Sequence, residues 1–448
     1  MIADPSEVGE LIERYYRNNA LLVSQILEET KKEESVKQAE EETLTTEQLA
    51  GDILAGDMDE GRIKQLVDLI LRNAYKERAS DIHFECYEKE FRVRFRIDGI
   101  LHDRESPGPS LRAPVLTRLK LMAGMDLAEK RIPQDGRIAL RIEGKTLDFR
   151  VSALPSIHGE SIVLRLLETA SVMRGLEEIG FLPENVRTFN ELIRKPNGII
   201  LLTGPTGSGK TTTLYSAISL LNTVDTKIIT VENPVEYQIE GVNQMQVNDE
   251  IGLTFAQGLR TILRQAPDVI LVGEIRDKET AEIAVTAALT GHLVFSTLHT
   301  NDAPGATTRL IEMGVAPYMV CSSLQAVIAQ RLVRRVCKEC REFYPATPVE
   351  ITEFGKDPDL FRDVMLVRGR GCDYCSHTGY RGRTAIHEIM IMTDEIRDMV
   401  MARRPSEVIK VLAREQGMRT LREDGWEKVR LGITTSTEVL RITQGDVA

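Results

Sequence analysis

Eight consecutive residues, Gly204-Pro205-Thr206-Gly207-Ser208-Gly209-Lys210-Thr211, satisfy the pattern GxxxxGK[ST] without interruption. Its glycines let successive backbone N–H groups turn inward around phosphate oxygens, and the N-terminus of a following helix adds a favourable partial positive charge. The pattern predicts that Lys210 reaches the β- and γ-phosphates of ATP, that the Thr211 hydroxyl stands on Mg2+, and that Thr212 opens the helix beside them. A chance match in a glycine-rich loop is the plain alternative. The flanks decide against it, because Ile199–Thr203 reads as a strand and Thr212–Leu221 as a helix.

Binding a nucleotide is not yet hydrolysing it; hydrolysis needs a group that orients water. Glu274 ends the apolar run Val269-Ile270-Leu271-Val272-Gly273, and Glu232 and Glu236 follow the run Ile229–Val231. In an open α/β sheet, ligands lie at the carboxyl ends of the strands, so these acidic positions point to the nucleotide crevice. Glu274 is the choice for polarising the attacking water and the Mg2+ shell. Asp268 starts its strand and so sits at the wrong end. Thr297 and His299, in Leu293-Val294-Phe295-Ser296-Thr297-Leu298-His299, emerge at the same edge and can sense the γ-phosphate by hydrogen bonding. A lone histidine is as readily structural.

A second chemistry is written in cysteine. Cys337-x-x-Cys340 and Cys372-x-x-Cys375 form two knuckles able to place four thiolates tetrahedrally around Zn2+. The spacer between them is longer than in the commonest zinc ribbons, so free or redox-active thiols stay open on spacing alone. No open ligand position suggests catalysis, so the metal is structural. His377 reads as a bystander, and Cys86 and Cys321 sit in apolar settings as core residues.

These residues need elements to position them. Residues 8–28 show helical apolar spacing, and Glu28–Glu42 is a polar linker or solvated helix. A helix over Arg62–Arg78 leads into strands. Phe91–Asp98 alternates apolar residues with Arg92, Arg94 and Arg96, and Asp98-Gly99 signals a hairpin. A helix at Ala113–Met122, a strand pair at Arg137–Ile142 and Thr146–Val151, and Ser161–Leu167 complete a compact α+β domain. Beyond residue 178 the rhythm changes. Short apolar strands at Ile199–Thr203, Lys227–Val231, Val269–Val272 and Leu293–Ser296 alternate with helices, the signature of a parallel doubly wound sheet. The chain finishes with helices from Asp394 to Thr443.

Length and composition agree. The 448 residues, 42% hydrophobic, support two or three domains. A formal net charge of −11 argues against a general nucleic-acid binder, so a DNA-translocating ring is a weak rival and no direct nucleic-acid contact is expected. No apolar run approaches a transmembrane length, and the N-terminus lacks a secretory signal, which predicts a cytoplasmic protein.

Several long motifs, in order, then resemble one family. They are Ser80-Asp81-Ile82-His83, Glu129 to Arg137, the P-loop, Leu263-Arg264-Gln265-Ala266-Pro267-Asp268 to Gly273-Glu274-Ile275-Arg276-Asp277, and residues 291–302. Over about residues 60 to 440 they resemble the type II secretion and type IV pilus-assembly ATPases. The resemblance implies an α/β fold. It consists of a PAS-like α+β domain over 60–168, a RecA-like P-loop motor over 169–335, a tetracysteine zinc element over 336–384 and a C-terminal helical subdomain over 385–448. A helix and charged linker over 1–59 precede them. It also implies an acidic box at Glu232 and Glu236, a Walker B at Glu274 and a histidine box at Thr297 and His299. Asn233 departs from the aspartate usual in that acidic box. Six arginines are implied to reach phosphate, Arg150 and Arg165 from the PAS-like domain and Arg260, Arg264, Arg276 and Arg381 around the motor. The implied assembly is a homo-hexamer associated peripherally with the inner membrane through a platform protein and a cytoplasmic adaptor. Secretion is the first reading, and pilus extension is the alternative.

Overall fold

The computed structural model describes residues 60–142, 144–167, 175–359, 361 and 363–444. The helix read at Val8–Leu27 and the linker after it lie outside the described residues. The chain divides into two compact units at Leu167/Glu168.

The first unit begins with helix α1 (Glu60–Lys76), whose apolar spacing buries Leu66, Val67, Ile70 and Leu71. Three strands follow, β1 (Asp81–Cys86), β2 (Phe91–Ile97) and β3 (Ile100–Arg104), then helix α2 (Arg112–Met122) and strands β4 (Gln134–Ile142), β5 (Lys145–Ser156) and β6 (Gly159–Leu167). They form one antiparallel sheet in the order β3-β2-β1-β6-β5-β4. Alternation divides its two faces. Phe84, Phe91, Phe95, Phe149 and Val151 turn inward with the apolar stripes of α1 and α2, and the arginines turn outward. Asp98 (φ 48°) and Gly99 (φ 88°) make the tight turn between β2 and β3.

The second unit opens with α3 (Leu176–Ile179), α4 (Pro183–Ile193), β7 (Gly198–Thr203), α5 (Lys210–Leu221), β8 (Ile228–Glu232) and β9 (Asn243–Gln246). It continues through α6 (Phe255–Ile262), β10 (Val269–Val272), α7 (Lys278–Leu289), β11 (Leu293–Leu298), α8 (Ala303–Glu312), α9 (Pro317–Ser323) and β12 (Leu324–Val336). Then come β13 (Arg341–Pro345), α10 (Pro348–Glu353), β14 (Met365–Gly369), β15 (Tyr380–Ile391), α11 (Asp394–Met401), α12 (Ser406–Glu415), α13 (Leu421–Arg430) and α14 (Ser436–Ile442).

Seven strands make a sheet in the order β15-β12-β7-β11-β10-β8-β9, parallel throughout except for β15. Strands β7, β8, β10 and β11 are buried along their whole length, as both-face coverage by helices requires. One face packs on α3, α4 and α5 through Ile200, Leu202, Phe295 and Leu271. The other packs on α6, α7, α8 and the C-terminal helices through Leu201, Ile270, Val272 and Val294.

Two sequence boundaries need correction. A division at 335/336 cuts β12, and one at 384/385 cuts β15. These two strands pair with each other from Ala326↔Ile391 to Val336↔Tyr380, so the residues assigned to the metal element and to the helical subdomain share strands of the main sheet. The helices from Asp394 to Ile442 pack on that sheet rather than standing apart.

Helix α13 is anchored to the sheet by a buried ion pair. Lys428 meets Asp424 within the helix, and Asp424 also accepts hydrogen bonds from the His387 N–H at 3.0 Å and Asn185 Nδ2 at 3.2 Å.

Candidate active site

The P-loop is what remains when a fully buried strand must turn into a helix in six residues. Thr203 ends β7, and Gly204 (φ 145°), Gly207 (φ 79°) and Gly209 (φ 86°) take backbone conformations that side chains resist. At Gly204 space is also lacking, since a Cβ there would stand 2.5 Å from the Gln330 carbonyl oxygen and 2.8 Å from Ser208 Oγ. Helix α5 starts with no side-chain cap and no acidic residue in its first turn. Its N–H groups therefore need an acceptor that an anion supplies.

The residues fit a nucleotide phosphate. Pro205, Thr206 and Gly207 are exposed, with Thr211 and Thr212 at the open helix end, while Ser208 Oγ is buried without a hydrogen-bond partner among the described residues. Lys210 Nζ donates to the carbonyls of Gly204 at 2.7 Å and Pro205 at 3.1 Å. Burial, with the Arg331 charge adding to it and Glu274 opposing, pushes the Lys210 ammonium down to about 8. A half-buried cation on a loop of N–H donors is an arrangement that a polyphosphate stabilises.

Glu274 follows β10 directly, and the link to α7 is short because Asp277 caps that helix, accepting from the Thr280 N–H at 2.8 Å. Largely buried, the Glu274 carboxylate receives Arg276 Nη2 at 2.7 Å and faces His299 Nε2 at 3.5 Å. Its charge partly opposes the lowering of the Lys210 pKa by burial and by Arg331. His299 comes from the next parallel link, closed by the Asp302 cap on α8. Lys210, Glu274, His299 and Arg276 thus converge at the carboxyl edge of neighbouring strands.

Three expected residues take other places. Thr297 is buried, and its hydroxyl donates to the Gly273 carbonyl at 2.8 Å, while its own carbonyl accepts from the Ile275 N–H at 3.0 Å. It shapes the turn that carries Glu274 instead of facing the loop. Glu232 is buried on the α5 face, because alternation along β8 puts Thr230 and Glu232 on the same side. Its carboxylate accepts from the Tyr215 hydroxyl, from Thr230 Oγ1 at 2.6 Å and from Gln244 Nε2 at 3.3 Å. Burial first, and then the Glu232 charge, push the Tyr215 phenol up. Glu236 is exposed and touches this network only through its N–H, 3.4 Å from the Tyr215 oxygen. Glu232 therefore braces β8 against α5 in this structure, while Glu274 faces the loop.

The six arginines are dispersed. Arg276 alone lies on Glu274. Arg260 pairs with Glu279 on the surface, and Arg264 donates to the Arg260 carbonyl at 2.9 Å and to Thr261 Oγ1 at 3.3 Å. In the first unit, Arg150 stands directly opposite both Arg137 and Arg165 on adjoining strands, with Arg165 bonded to Asp81 at 2.8 Å. Like charges in direct cross-strand register are unfavourable, and the Asp81 carboxylate offsets part of this at Arg165. Arg381 is the second residue of β15, where that strand meets the end of β12, while the P-loop strand ends opposite Ala329. Six residues of β12 separate Ala329 from Arg335, roughly 20 Å at about 3.3 Å per residue, and the loop itself runs on along β12 as far as Leu332, beside Gly209.

Sequence reasoning missed Gln330 and Arg331. Gln330, fully buried on β12, donates from Nε2 to the Ser208 carbonyl at 2.9 Å and accepts from Thr213 Oγ1 at 2.8 Å. It ties the loop and the first turn of α5 to the next strand. Arg331 stands beside Gly204 and donates to Asn301 at its carbonyl (3.0 Å) and at Oδ1 (3.3 Å). The available signal was a Gln-Arg pair interrupting the apolar run Ala326–Val333.

The cysteine knuckles meet because β13 and β14 pair as a hairpin in the register Arg341↔Gly369, which closes the long spacer. The four sulfurs lie within 4.8 Å of one another, with Cys337–Cys372 at 3.9 Å, Cys340–Cys375 at 3.8 Å and Cys372–Cys375 at 3.8 Å. Tetrahedral Zn–S bonds of about 2.3 Å require sulfurs about 3.8 Å apart, so the donor set fits zinc. N–H groups of Gly371, Cys372 and Gly379 point at Cys340 or Cys375 sulfur, each at 3.3 Å. His377 is exposed and faces Asp373, not the sulfurs. Cys86 and Cys321 are buried apart from the cluster.

Among the described residues no helix is long and apolar enough to cross a membrane. The sequence pattern of the family described as "Type II/IV secretion system protein" matches residues 57–441. The chain is 48% identical over 444 residues to a type II secretion system protein E of Xanthomonas campestris pv. campestris, covering 98% of this chain and 76% of that one. It is 45% identical over 450 residues to the type IV pilus assembly ATPase PilB of Myxococcus xanthus, covering 100% of this chain and 78% of that one. The pilus retraction motor PilT, solved with bound ADP, superposes with a TM-score of 0.55 at 26% identity, covering 83% of this chain and 95% of that one. The chain belongs to the type II/IV secretion system protein family, and it is an ATPase.

Proposed function

We propose that this chain is the ATP-hydrolysing motor of a type II secretion machine, working as a homo-hexamer at the cytoplasmic face of the inner membrane. The observation that carries the reading is the meeting of Lys210, Glu274 and His299 around a P-loop whose helix end lacks a cap. The family relationship supports the rest. Backbone N–H groups of residues 204–209 and the Lys210 ammonium bind the β- and γ-phosphates. Thr211 holds Mg2+, which neutralises phosphate charge when bound. Glu274 accepts a hydrogen bond from the attacking water and aims it at the γ-phosphorus, while His299 and Arg276 fix the carboxylate's orientation. Thr297 sets the turn beneath.

Arg150, Arg165, Arg260 and Arg264 supply guanidinium charge to the γ-phosphoryl oxygens. Arg381, on β15 beside the far end of β12, serves the nucleotide of a neighbouring copy. The four cysteines hold a structural Zn2+. Conformational work passes to a platform protein in the inner membrane, and an adaptor recruits the ring, so membrane association is peripheral and nucleic acid is not contacted. Pilus extension is the second reading, favoured by the match of the pilus assembly ATPase PilB over the whole of this chain.

ATP turnover by the full chain, measured with its particle mass in solution, tests the reading. A six-copy mass and turnover lost on Lys210→Ala are expected. Turnover that survives in Lys210→Ala sinks the site assignment, and a platform component absent from pull-downs sinks the secretion assignment.

A further inference from the structure

Arg381 rests on Tyr374, within the second cysteine knuckle, in a way that its proposed role does not by itself require. The β12–β15 ladder shifts register between Arg334 and Val336, so Arg381 and Gly382 stand against the single residue Arg335. Gly382 (φ 78°) takes the left-handed conformation there. A bulge of this kind re-aims the side chain it carries. The Arg381 guanidinium then lies over the ring of Tyr374, 3.9 Å from its centroid, and Nη1 donates to the Tyr374 carbonyl. Tyr374 sits inside the second knuckle, between Cys372 and Cys375, with its ring half exposed.

The loop joining Cys375 to Arg381 is tightly folded. Ser376 (φ 50°), His377 (φ 58°) and Gly379 (φ 76°) are left-handed, and the Gly379 N–H points at the Cys375 sulfur. A Cβ on Gly369 would fall 2.1 Å from the Gly379 carbonyl oxygen, which locks this loop against the end of β14. A knuckle closed on a metal therefore fixes Tyr374, and Tyr374 fixes the arginine.

We propose that Tyr374 is a positioning residue that holds the Arg381 guanidinium extended from the cysteine knuckle towards the phosphate of a neighbouring copy. The inference rests on the reading of Arg381 given above. An arginine side chain loses much conformational freedom when it engages phosphate, and a ring and a carbonyl that already restrain it remove part of that loss. The tetracysteine site then contributes to turnover through Tyr374 as well as to folding.

Four full-length variants test this: Tyr374→Ala, Tyr374→Phe, Arg381→Ala and the double Tyr374→Ala/Arg381→Ala. Each is assayed for kcat, KM and bound zinc. Tyr374→Ala is expected to lower kcat roughly two- to fivefold, the loss matching a cation–π contact at an exposed site. KM and zinc content should stay unchanged, Tyr374→Phe should restore kcat, and Tyr374→Ala should have no further effect in the Arg381→Ala background. An additive double variant, or zinc lost from Tyr374→Ala, overturns the proposal. If Arg381→Ala leaves kcat unchanged, the phosphate role of Arg381 fails and takes this proposal with it. If Arg381→Ala is slow and Tyr374→Ala is not, the positioning role alone fails.

Discussion

Replacing Gln330 by leucine isolates a part of the site that no motif contains. The substitution keeps the volume roughly constant and removes two hydrogen bonds in a fully buried setting, from Nε2 to the Ser208 carbonyl and from Thr213 Oγ1 to Oε1. The two losses differ. The Ser208 carbonyl is left without that donor, a loss of about 1–3 kcal/mol. The Thr213 hydroxyl keeps an alternative, because the Gly209 carbonyl already lies 3.4 Å away, so its loss is at the low end. Part of the strain is relieved by movement of the loop itself, and the loop is what holds phosphate. We therefore expect nucleotide affinity to fall by about 1–2 kcal/mol, roughly five- to thirtyfold. Gln330→Glu is expected to be worse, since it sets a carboxylate against the Ser208 carbonyl and places negative charge beneath the phosphates. Titration calorimetry with ADP, alongside thermal denaturation to check the fold, measures both. ADP affinity unchanged in Gln330→Leu refutes the reasoning.

Glu274→Gln keeps the shape and removes the charge, so turnover should drop about 100-fold or more while ATP still binds, read by single-turnover hydrolysis; normal turnover would transfer the role elsewhere. Without nucleotide, Lys210 loses its proton as pH rises through about 8, whereas a bound triphosphate keeps the ammonium. Affinity is accordingly greatest below pH 8 and declines by about tenfold per pH unit above it; a flat profile from pH 7 to 9.5 contradicts this. Lys428→Ala strands the buried Asp424 carboxylate without its cation and should destabilise the second unit by about 3–5 kcal/mol, seen as a lowered denaturation midpoint. Protein purified without chelator should carry one zinc per chain by mass spectrometry, and Cys372→Ser should lose it. Metal-free wild type would exclude the structural zinc.

The residues themselves determined the nucleotide loop, its strand and helix, the parallel sheet and the outward arginines of β2, because glycine spacing, apolar runs and alternation are local properties of the chain. The four cysteines were legible for the same reason, but their closeness needed the β13–β14 hairpin. What only the tertiary structure decided were contacts between segments distant in sequence. Gln330 reads as a flaw in an apolar strand until β12 pairs beside β7 and presents it to Ser208. Glu232 and Glu274 both read as acids following parallel strands, with Glu274 the choice for the attacking water, and only the structure shows that Tyr215, Thr230 and Gln244 cover Glu232. Arg381 was one of six arginines that the family resemblance implied to reach phosphate. The shifted register of β15 gave it a tyrosine to rest on, and register is set by packing across the sheet, not by the residues of one strand.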